Sequence, residues 1–234
     1  MGKCLIFVLI GIALVVFYIR ERLKGPGSRV VIMKSMASMC FVMTAITGIL
    51  VNPSAFLYGG VLVLGLVWGL LGDIWLDFKY ICPDESRRYT HTGFLVFAAG
   101  HFFFMMAMVR SFRPGAILIL VAALLSAAAG AVMGTVGQDY VKIKLGEYQP
   151  VTIVYGAFAS GTFFIALACI VSGGYKYAGL WLVLIGSLFF ILSDVILSRT
   201  YFGKRHDKPI DIIMNYAFYY AAQFLIALSV ACMK

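Results

Sequence analysis

The chain has 234 residues, of which 62% are hydrophobic and 12% are charged. Soluble domains are about 45–50% apolar and about 25% charged, so this composition excludes an ordinary water-soluble enzyme or binding domain. The formal charge of +9 does not indicate a nucleic-acid partner, because basic loop residues of membrane proteins set orientation and face anionic lipid. We therefore predict a single integral membrane domain over residues 1–234.

Hydropathy divides the chain into eight apolar stretches separated by Pro, Gly and charged residues. A membrane-spanning helix needs about 20 apolar residues, which makes the fold class all-α: an eight-helix polytopic bundle. The N-terminal stretch lacks an A-x-A-like cleavage site before the basic residues that follow, so it is predicted to stay as the first helix. The predicted spans are residues 4–19, 30–51, 55–78, 91–109, 115–133, 148–171, 177–198 and 210–232.

Basic residues are concentrated in the loops after the odd-numbered spans. The positive-inside rule places these loops in the cytoplasm and both termini outside, in a bacterial inner membrane or the endoplasmic reticulum. The basic residues after spans one, three and seven are candidates to gather a phosphate headgroup, although topology signalling alone explains each one. They are Arg20, Arg22, Lys24, Arg29, Lys79, Arg87, Arg88, Arg199, Lys204, Arg205 and Lys208.

Two matching strings place one carboxylate each inside an apolar helix: LGDIWL around Asp73 in the third span and LSDVIL around Asp194 in the seventh. A charge at this depth is costly and is a functional candidate by default. Gly65, Gly69, Asp73 and Asp77 recur at four-residue steps, so they share one helix face that small residues allow to pack inward. The alternative is structural, with each aspartate a hydrogen-bond or ion-pair partner for a neighbouring helix.

Residues around the two aspartates correspond in parallel. Lys34 and Tyr155 each precede an aspartate by 39 residues, and His101 and Gln223 follow by 28 and 29. The strings lie four spans apart, so both copies point the same way across the membrane. This suggests a four-plus-four parallel internal repeat, an arrangement that places sites at the repeat interface.

Polar residues occupy similar depths in several spans, and buried polar groups need partners. We therefore expect one shared polar cavity that opens toward the cytoplasmic leaflet. Its supporting residues are predicted to be Lys34, Asp77, His101, Tyr155, Asn215, Tyr219 and Gln223.

Other site chemistries find little support in the sequence. The five cysteines, which have no CxxC spacing, are typical of small hydrophobes rather than disulfides or metal ligands. The three histidines are His91, His101 and His206. The first two lie on different faces of one helix and the third in a basic loop, so no metal site is predicted.

Taken in order, these residues resemble the YhhN family of eight-helix membrane proteins, whose animal members are lysoplasmalogenases. The resemblance rests on Lys34, LGDxxL at Asp73, GHF at His101, Tyr155, SDxxL at Asp194 and the Tyr219–Gln223 segment. One departure is Ser35, where the family pattern would place proline after the lysine.

The resemblance implies hydrolysis of the vinyl ether bond of a lysophospholipid substrate, giving a fatty aldehyde and a glycerophospho-base. That reaction needs one protonated carboxyl group and one ionised carboxylate, and needs no cofactor. Burial and like-charge repulsion keep one member of a close pair protonated. Asp73 and Asp194 are the predicted catalytic pair, which assumes that the third and seventh helices are neighbours.

Two other functions fit the same residues. One is a non-enzymatic lipid-binding or transport protein that uses the same cavity. The other is a metal-dependent lipid hydrolase of the multi-spanning ceramidase type, whose activity would be sensitive to chelators.

Overall fold

The computed structural model describes residues 2–203 and 208–233 of the chain. Within these ranges eight helices are long and apolar enough to cross a membrane. They are α1 (Gly2–Lys24), α2 (Ser28–Val51), α3 (Phe56–Ile81), α4 (Ser86–Phe112), α5 (Ala116–Gly134), α7 (Gln149–Val171), α8 (Ala178–Phe202) and α9 (Pro209–Leu228), with a short α6 (Gly137–Val141) after α5. The predicted all-α, eight-helix membrane bundle is therefore confirmed.

Several helices extend beyond the spans that hydropathy predicts. Helix α1 continues five residues past Ile19, to Lys24, and α4 begins at Ser86, five residues before His91. Arginine, lysine and glutamate are good helix formers, so a charged segment ends an apolar stretch without ending the helix. Ser35 lies inside α2, where its hydroxyl donates to the Val31 carbonyl at 2.8 Å.

Asn52 and Pro53 separate the second and third helices. Proline lacks an N–H group and disfavours helical geometry in the residue before it, so α2 ends at Val51 and a short 3₁₀ turn leads into α3. The Asn52 side-chain amide donates to the carbonyls of Val230 and Met233, both at 3.1 Å. These bonds attach the turn to the segment that follows α9.

Sequence neighbours pack in pairs: α1 with α2, α3 with α4, α5 with α7 and α8 with α9. Small residues allow helices to approach closely in lipid. A Cβ on Gly65 of α3 would lie 2.8 Å from the Gly100 carbonyl oxygen of α4. A Cβ on Gly130 of α5 would lie 2.5 Å from the Ile153 carbonyl oxygen of α7. Backbone contact at these glycines sets the spacing between α3 and α4 and between α5 and α7.

The packing of the first half recurs in the second half. A Cβ on Gly186 of α8 would lie 3.0 Å from the Ala222 carbonyl oxygen of α9. Gly186 follows Gly65 by 121 residues and Ala222 follows Gly100 by 122, so this approach matches that of α3 and α4. The two halves also meet at two corresponding contacts. Helix α4 of the first half packs against α7 of the second, and α9 of the second half packs against α2 of the first. These contacts support the predicted four-plus-four repeat.

Asp73 and Asp194 lie at one end of the bundle. Each is eight residues before the last residue of its helix, Ile81 of α3 or Phe202 of α8, or about 12 Å along the axis at 1.5 Å per residue. This end carries the α1–α2, α3–α4, α5–α7 and α8–α9 connections. Its assignment to the cytoplasm stays a prediction, and Lys204 and Arg205 of the last connection lie outside the described residues.

Candidate active site

Asp73 is a buried carboxylate, 2% exposed, that receives donors from two other helices. Its Oδ2 atom accepts hydrogen bonds from the Ser38 hydroxyl of α2 at 2.6 Å and from the Tyr219 hydroxyl of α9 at 2.7 Å. Its Oδ1 atom lies 3.3 Å from Lys34 Nζ. Each of these three donors stabilises the charged form of the carboxylate.

Lys34 on α2 is shared between two carboxylates. Its Nζ atom lies 3.0 Å from Asp77 Oδ1 as well as 3.3 Å from Asp73 Oδ1, and all three side chains are buried. Asp73 and Asp77 are one helical turn apart and project from the same face of α3, so one ammonium group reaches both. Buried charges persist only when they are paired and hydrogen bonded. Within the described chain Asp77 Oδ2 has no hydrogen-bond partner, so Lys34 is the one cation that contacts this carboxyl group there.

Helix α9 covers Lys34, Asp73 and Asp77 with polar side chains that recur at four-residue steps. Tyr219 donates to Asp73 and in turn accepts a hydrogen bond from Gln223 Nε2 at 3.2 Å. Gln223 therefore directs the Tyr219 proton toward the carboxylate. Asn215 Nδ2 donates to the Ser193 carbonyl at 2.7 Å, which joins α9 to α8 beside Asp194.

Asp194 has simpler surroundings. Its Oδ2 atom accepts a hydrogen bond from the Tyr155 hydroxyl of α7 at 2.7 Å. Among residues 2–203 and 208–233 no cation lies within ion-pair distance of it. The Tyr155 ring stacks on Phe94 with centroids 5.3 Å apart and planes 4° apart, which holds its hydroxyl in place. Asp194 thus has a neutral donor where Asp73 has an ammonium group.

Both aspartates line one small cavity of about 20 Å³, which we call the central cavity. A cavity of roughly 10–15 Å³ on this measure holds one water molecule, so this one suits about one water. Its walls are Lys34, Asp73, Leu76, Phe94, Phe97, Tyr155, Phe190, Ser193, Asp194, Leu197, Tyr201, Asn215, Tyr216 and Tyr219.

The expectation that the two aspartate helices are neighbours is wrong. In the described bundle α3 and α8 do not form a packed pair. They are joined through α4 and α7 on one side and through α9 on the other. The two carboxyl groups therefore reach the central cavity from different walls, and the pairing depends on the cavity rather than on helix contact.

The structure brings six of the nine predicted site residues into the lining of the central cavity: Lys34, Asp73, Tyr155, Asp194, Asn215 and Tyr219. Asp77 and Gln223 lie behind them, in contact with Lys34 and Tyr219 respectively. The expectation that Gln223 itself faces the cavity is not met, because Tyr219 stands between them.

His101 lies outside the lining. Its Nδ1 atom is 2.9 Å from Thr162 Oγ1, and its ring meets Phe190 edge-on with centroids 4.5 Å apart. The Nε2 atom is buried without a partner in the described part of the chain. These contacts make His101 a packing residue behind the phenylalanine side chains that line the central cavity.

Ser38 and the three phenylalanines of the cavity lining were not predicted from the sequence. Ser38 lies one turn after Lys34 on the same face of α2, and that spacing was the available signal. Phe94, Phe97 and Phe190 line the cavity, but phenylalanines in apolar helices carry no sign of which ones face a site.

The parallel spacing of the two halves appears in the contacts. Lys34 meets Asp73, and Tyr155 meets Asp194, and the members of each pair are 39 residues apart in the sequence. A phenol in the second half therefore stands where the first half has an ammonium group. The two carboxyl groups occupy matched positions in different electrostatic surroundings.

A second cavity of about 240 Å³ adjoins the central one, and we call it the side groove. It shares with the central cavity Phe94, Tyr155, Asp194, Leu197 and Tyr201. Its further walls are Val132, Met133, Gly137, Tyr140, Val141, Ile143, Thr152, Gly156, Val195, Ser198 and Phe202. Asp194 therefore stands between a water-sized polar space and a larger apolar one.

Basic side chains surround the same end of the bundle. The Arg22 guanidinium lies 3.9 Å from the Tyr80 ring centroid and is 7% exposed. Arg87 pairs with Glu147 at 2.9 Å. Among the described residues no group of three His, Cys, Asp or Glu side chains is placed to hold a metal ion, and His206 falls outside that part of the chain.

Comparison with known proteins gives one result. No match was found among curated proteins or among solved structures. The model of the YhhN family matches residues 29–230, nearly the whole chain and all the side chains that line the central cavity. The protein therefore belongs to the YhhN family.

Proposed function

We propose that this chain is an intramembrane hydrolase that cleaves the vinyl ether bond of lysoplasmalogens. The products are a fatty aldehyde and a glycerophospho-base. One observation carries the proposal: Asp73 and Asp194, from different halves of the chain, line the same water-sized cavity with contrasting partners. Membership of the YhhN family agrees with this activity.

The contrast in partners divides the two roles. Asp73 receives an ammonium group and two hydroxyl donors, which suits a carboxylate that remains ionised. Asp194 receives one phenol and borders the apolar side groove, where a charged carboxyl is poorly solvated. We assign Asp194 as the general acid and Asp73 as the carboxylate that stabilises the cation and activates water.

The reaction then follows from this placement. Protonated Asp194 transfers its proton to the β-carbon of the vinyl ether, which leaves an oxocarbenium ion facing Asp73. Water adds to the α-carbon and gives up a proton to Asp73. The resulting hemiacetal collapses to the aldehyde, and its hydroxyl proton passes to the glycerol oxygen. Transfer of the proton from Asp73 to Asp194 restores the starting state, with one water consumed.

Lys34 and Asp77 act through Asp73. Lys34 holds Asp73 ionised, and Asp77 holds Lys34 in position from the next turn of α3. Two carboxylates that face a scissile bond from different sides are the general arrangement of enzymes that pass through oxocarbenium-like states.

Aldehyde release from a lysoplasmenyl lipid by the purified protein tests the proposal. Positioned acid–base groups contribute about 10²–10⁴-fold to rate, so Asp73→Asn and Asp194→Asn should each lose activity by at least about 100-fold. Asp84→Asn is the matched control, because Asp84 is an exposed residue of the α3–α4 connection. Full activity in both cavity variants would overturn the mechanism.

A non-enzymatic function gives a different result. Lysolipid binding by the wild-type protein, without aldehyde from any lysoplasmenyl substrate, would replace hydrolysis with lipid binding or transport. Loss of that binding in the two Asn variants would still assign the central cavity as the lipid site.

A further inference from the structure

The side groove lies between two helices that do not pair. Helices α5 and α8 each pack against α7, and the groove runs between them with α7 behind it. Its rim is open, because Val132 of α5 is 56% exposed and Tyr140 of α6 is 84% exposed. Since α5 and α8 are long and apolar enough to span a membrane, we expect the opening between them to face lipid.

Backbone pairing bounds the groove at the loop end. Ile143 forms an antiparallel bridge with Gly203, and the Lys144 N–H donates to the Phe202 carbonyl at 3.2 Å. This pairing fastens the α5–α7 connection to the end of α8. Because Ile143 and Phe202 also line the groove, this pairing covers its loop end and leaves the side between α5 and α8 open.

Two polar side chains of the groove lie where it meets the central cavity. Asp194 and Tyr155 belong to both cavities. Thr152, one turn before Tyr155 on α7, has a buried hydroxyl without a hydrogen-bond partner in the described residues. The remaining walls are mostly apolar, so the groove suits a ligand with a long hydrocarbon part and a polar group at one end.

We propose that the side groove binds the single hydrocarbon chain of the lipid substrate and admits it sideways from the bilayer, an inference that rests on the proposed function. Its volume of about 240 Å³ is twelve times the 20 Å³ of the water-sized central cavity, which is room for a segment of one chain. In a vinyl ether lipid the double bond joins the first two carbons of that chain, and the second of these is the β-carbon. A chain seated in the groove therefore places its β-carbon beside Asp194.

Filling the rim tests this placement. Val132→Trp narrows the groove, and Val121→Trp is the matched control, because Val121 lies on the same face of α5, three turns away, and is 46% exposed. For long-chain lysoplasmenyl lipids Val132→Trp should raise KM at least about fivefold relative to Val121→Trp. For eight-carbon chains the difference should be small. Equal KM values for the two variants at every chain length would overturn the proposal.

Photolabelling supplies a readout that does not need turnover. A lysophosphatidylcholine with a diazirine in its chain should label residues 132–133 and 140–143, and a chain-matched lysolipid competitor should remove that label. Labelling spread evenly over the lipid-facing helices would overturn the groove. Groove labelling without aldehyde from any substrate would leave the groove in place and refute the hydrolase instead.

Discussion

At the scale of single residues, the site depends on one ammonium group that two carboxylates share. Lys34 lies between Asp73 and Asp77 in a buried position. Breaking a buried ion pair by removing one partner is strongly destabilising, since the remaining charge is left without compensation. Lys34 therefore contributes to folding as well as to the charge state of Asp73.

Replacing Lys34 should show this double role. Lys34→Met leaves two buried carboxylates facing each other, and we expect a loss of about 3–5 kcal/mol in the free energy of unfolding. Thermal unfolding in detergent micelles measures it. Adding Asp77→Asn to Lys34→Met should recover part of the loss, because one uncompensated carboxylate is removed. Additive losses in the double variant would show that Asp77 and Lys34 act independently.

The phenol of Tyr155 makes a separate prediction. Tyr155→Phe removes the hydroxyl that donates to Asp194 at 2.7 Å. Losing this bond should raise the activation free energy by about 1–1.5 kcal/mol. That rise corresponds to about a tenfold fall in kcat for aldehyde release. Tyr58→Phe is the control, because Tyr58 is also buried and hydrogen bonded, to Ser229 at 2.8 Å, away from both cavities. A similar fall in kcat in both variants would contradict a role for Tyr155 at Asp194.

At the scale of helices, the site is positioned by glycine contacts. Gly65 against Gly100 and Gly186 against Ala222 bring the backbones of α3 and α4, and of α8 and α9, together. Each pair includes the helix that carries an aspartate. The depth of the two carboxyl groups therefore depends on contacts that lie about two turns away from them.

Adding one methyl group at such a contact should be costly. In Gly65→Ala the new Cβ would lie 2.6 Å from the Phe104 ring and 2.8 Å from the Gly100 carbonyl oxygen. Overpacking of this kind costs about 1–3 kcal/mol. Gly60→Ala on the same helix meets nothing within 4 Å and should be neutral or stabilising by up to about 1 kcal/mol. Equal unfolding temperatures for the two variants in micelles would contradict this account of helix packing.

At the scale of the whole molecule, two similar halves differ in the side chain that meets each aspartate. Packing contacts and the 39-residue spacing to each aspartate are repeated. The partners differ, an ammonium group in one half and a phenol in the other. A repeat interface therefore holds two carboxyl groups at matched depth in unequal surroundings, which the proposed acid–base mechanism requires.

Orientation is a prediction for the whole chain. Asp84→Cys lies in the α3–α4 connection and Tyr175→Cys in the α7–α8 connection, where the Tyr175 side chain is 68% exposed. With Cys82 and Cys232 replaced by serine, a membrane-impermeant maleimide added to intact cells should label Tyr175→Cys alone. We expect this result because the positive-inside rule places the basic α3–α4 connection in the cytoplasm and the α7–α8 connection outside. Labelling of Asp84→Cys alone would reverse the assignment.

Much of this arrangement is readable from the chain. Membrane helices keep their apolar residues in long blocks, since exposed polar groups are costly in hydrocarbon, so the eight spans and the two aspartates stand out. The 39-residue spacing of Lys34 and Tyr155 from those aspartates predicted an internal repeat. It did not identify Tyr155 as the partner of Asp194, because spacing along the chain does not show which helices meet. Helix ends were less accurate and α6 was missed, because hydropathy reports burial in lipid and not the hydrogen bonds that continue or end a helix.

Local sequence, through hydropathy and spacing, determined the number of spans and the two intramembrane carboxyl groups. Only the tertiary structure decided that α3 and α8 face each other across a cavity rather than packing directly together. It also placed Gln223 behind Tyr219 and ended an apolar groove at Asp194. The physical reason is that spans and spacings are properties of single helices. A cavity is a property of several helices at once, determined by where their side chains fail to fill the space between them.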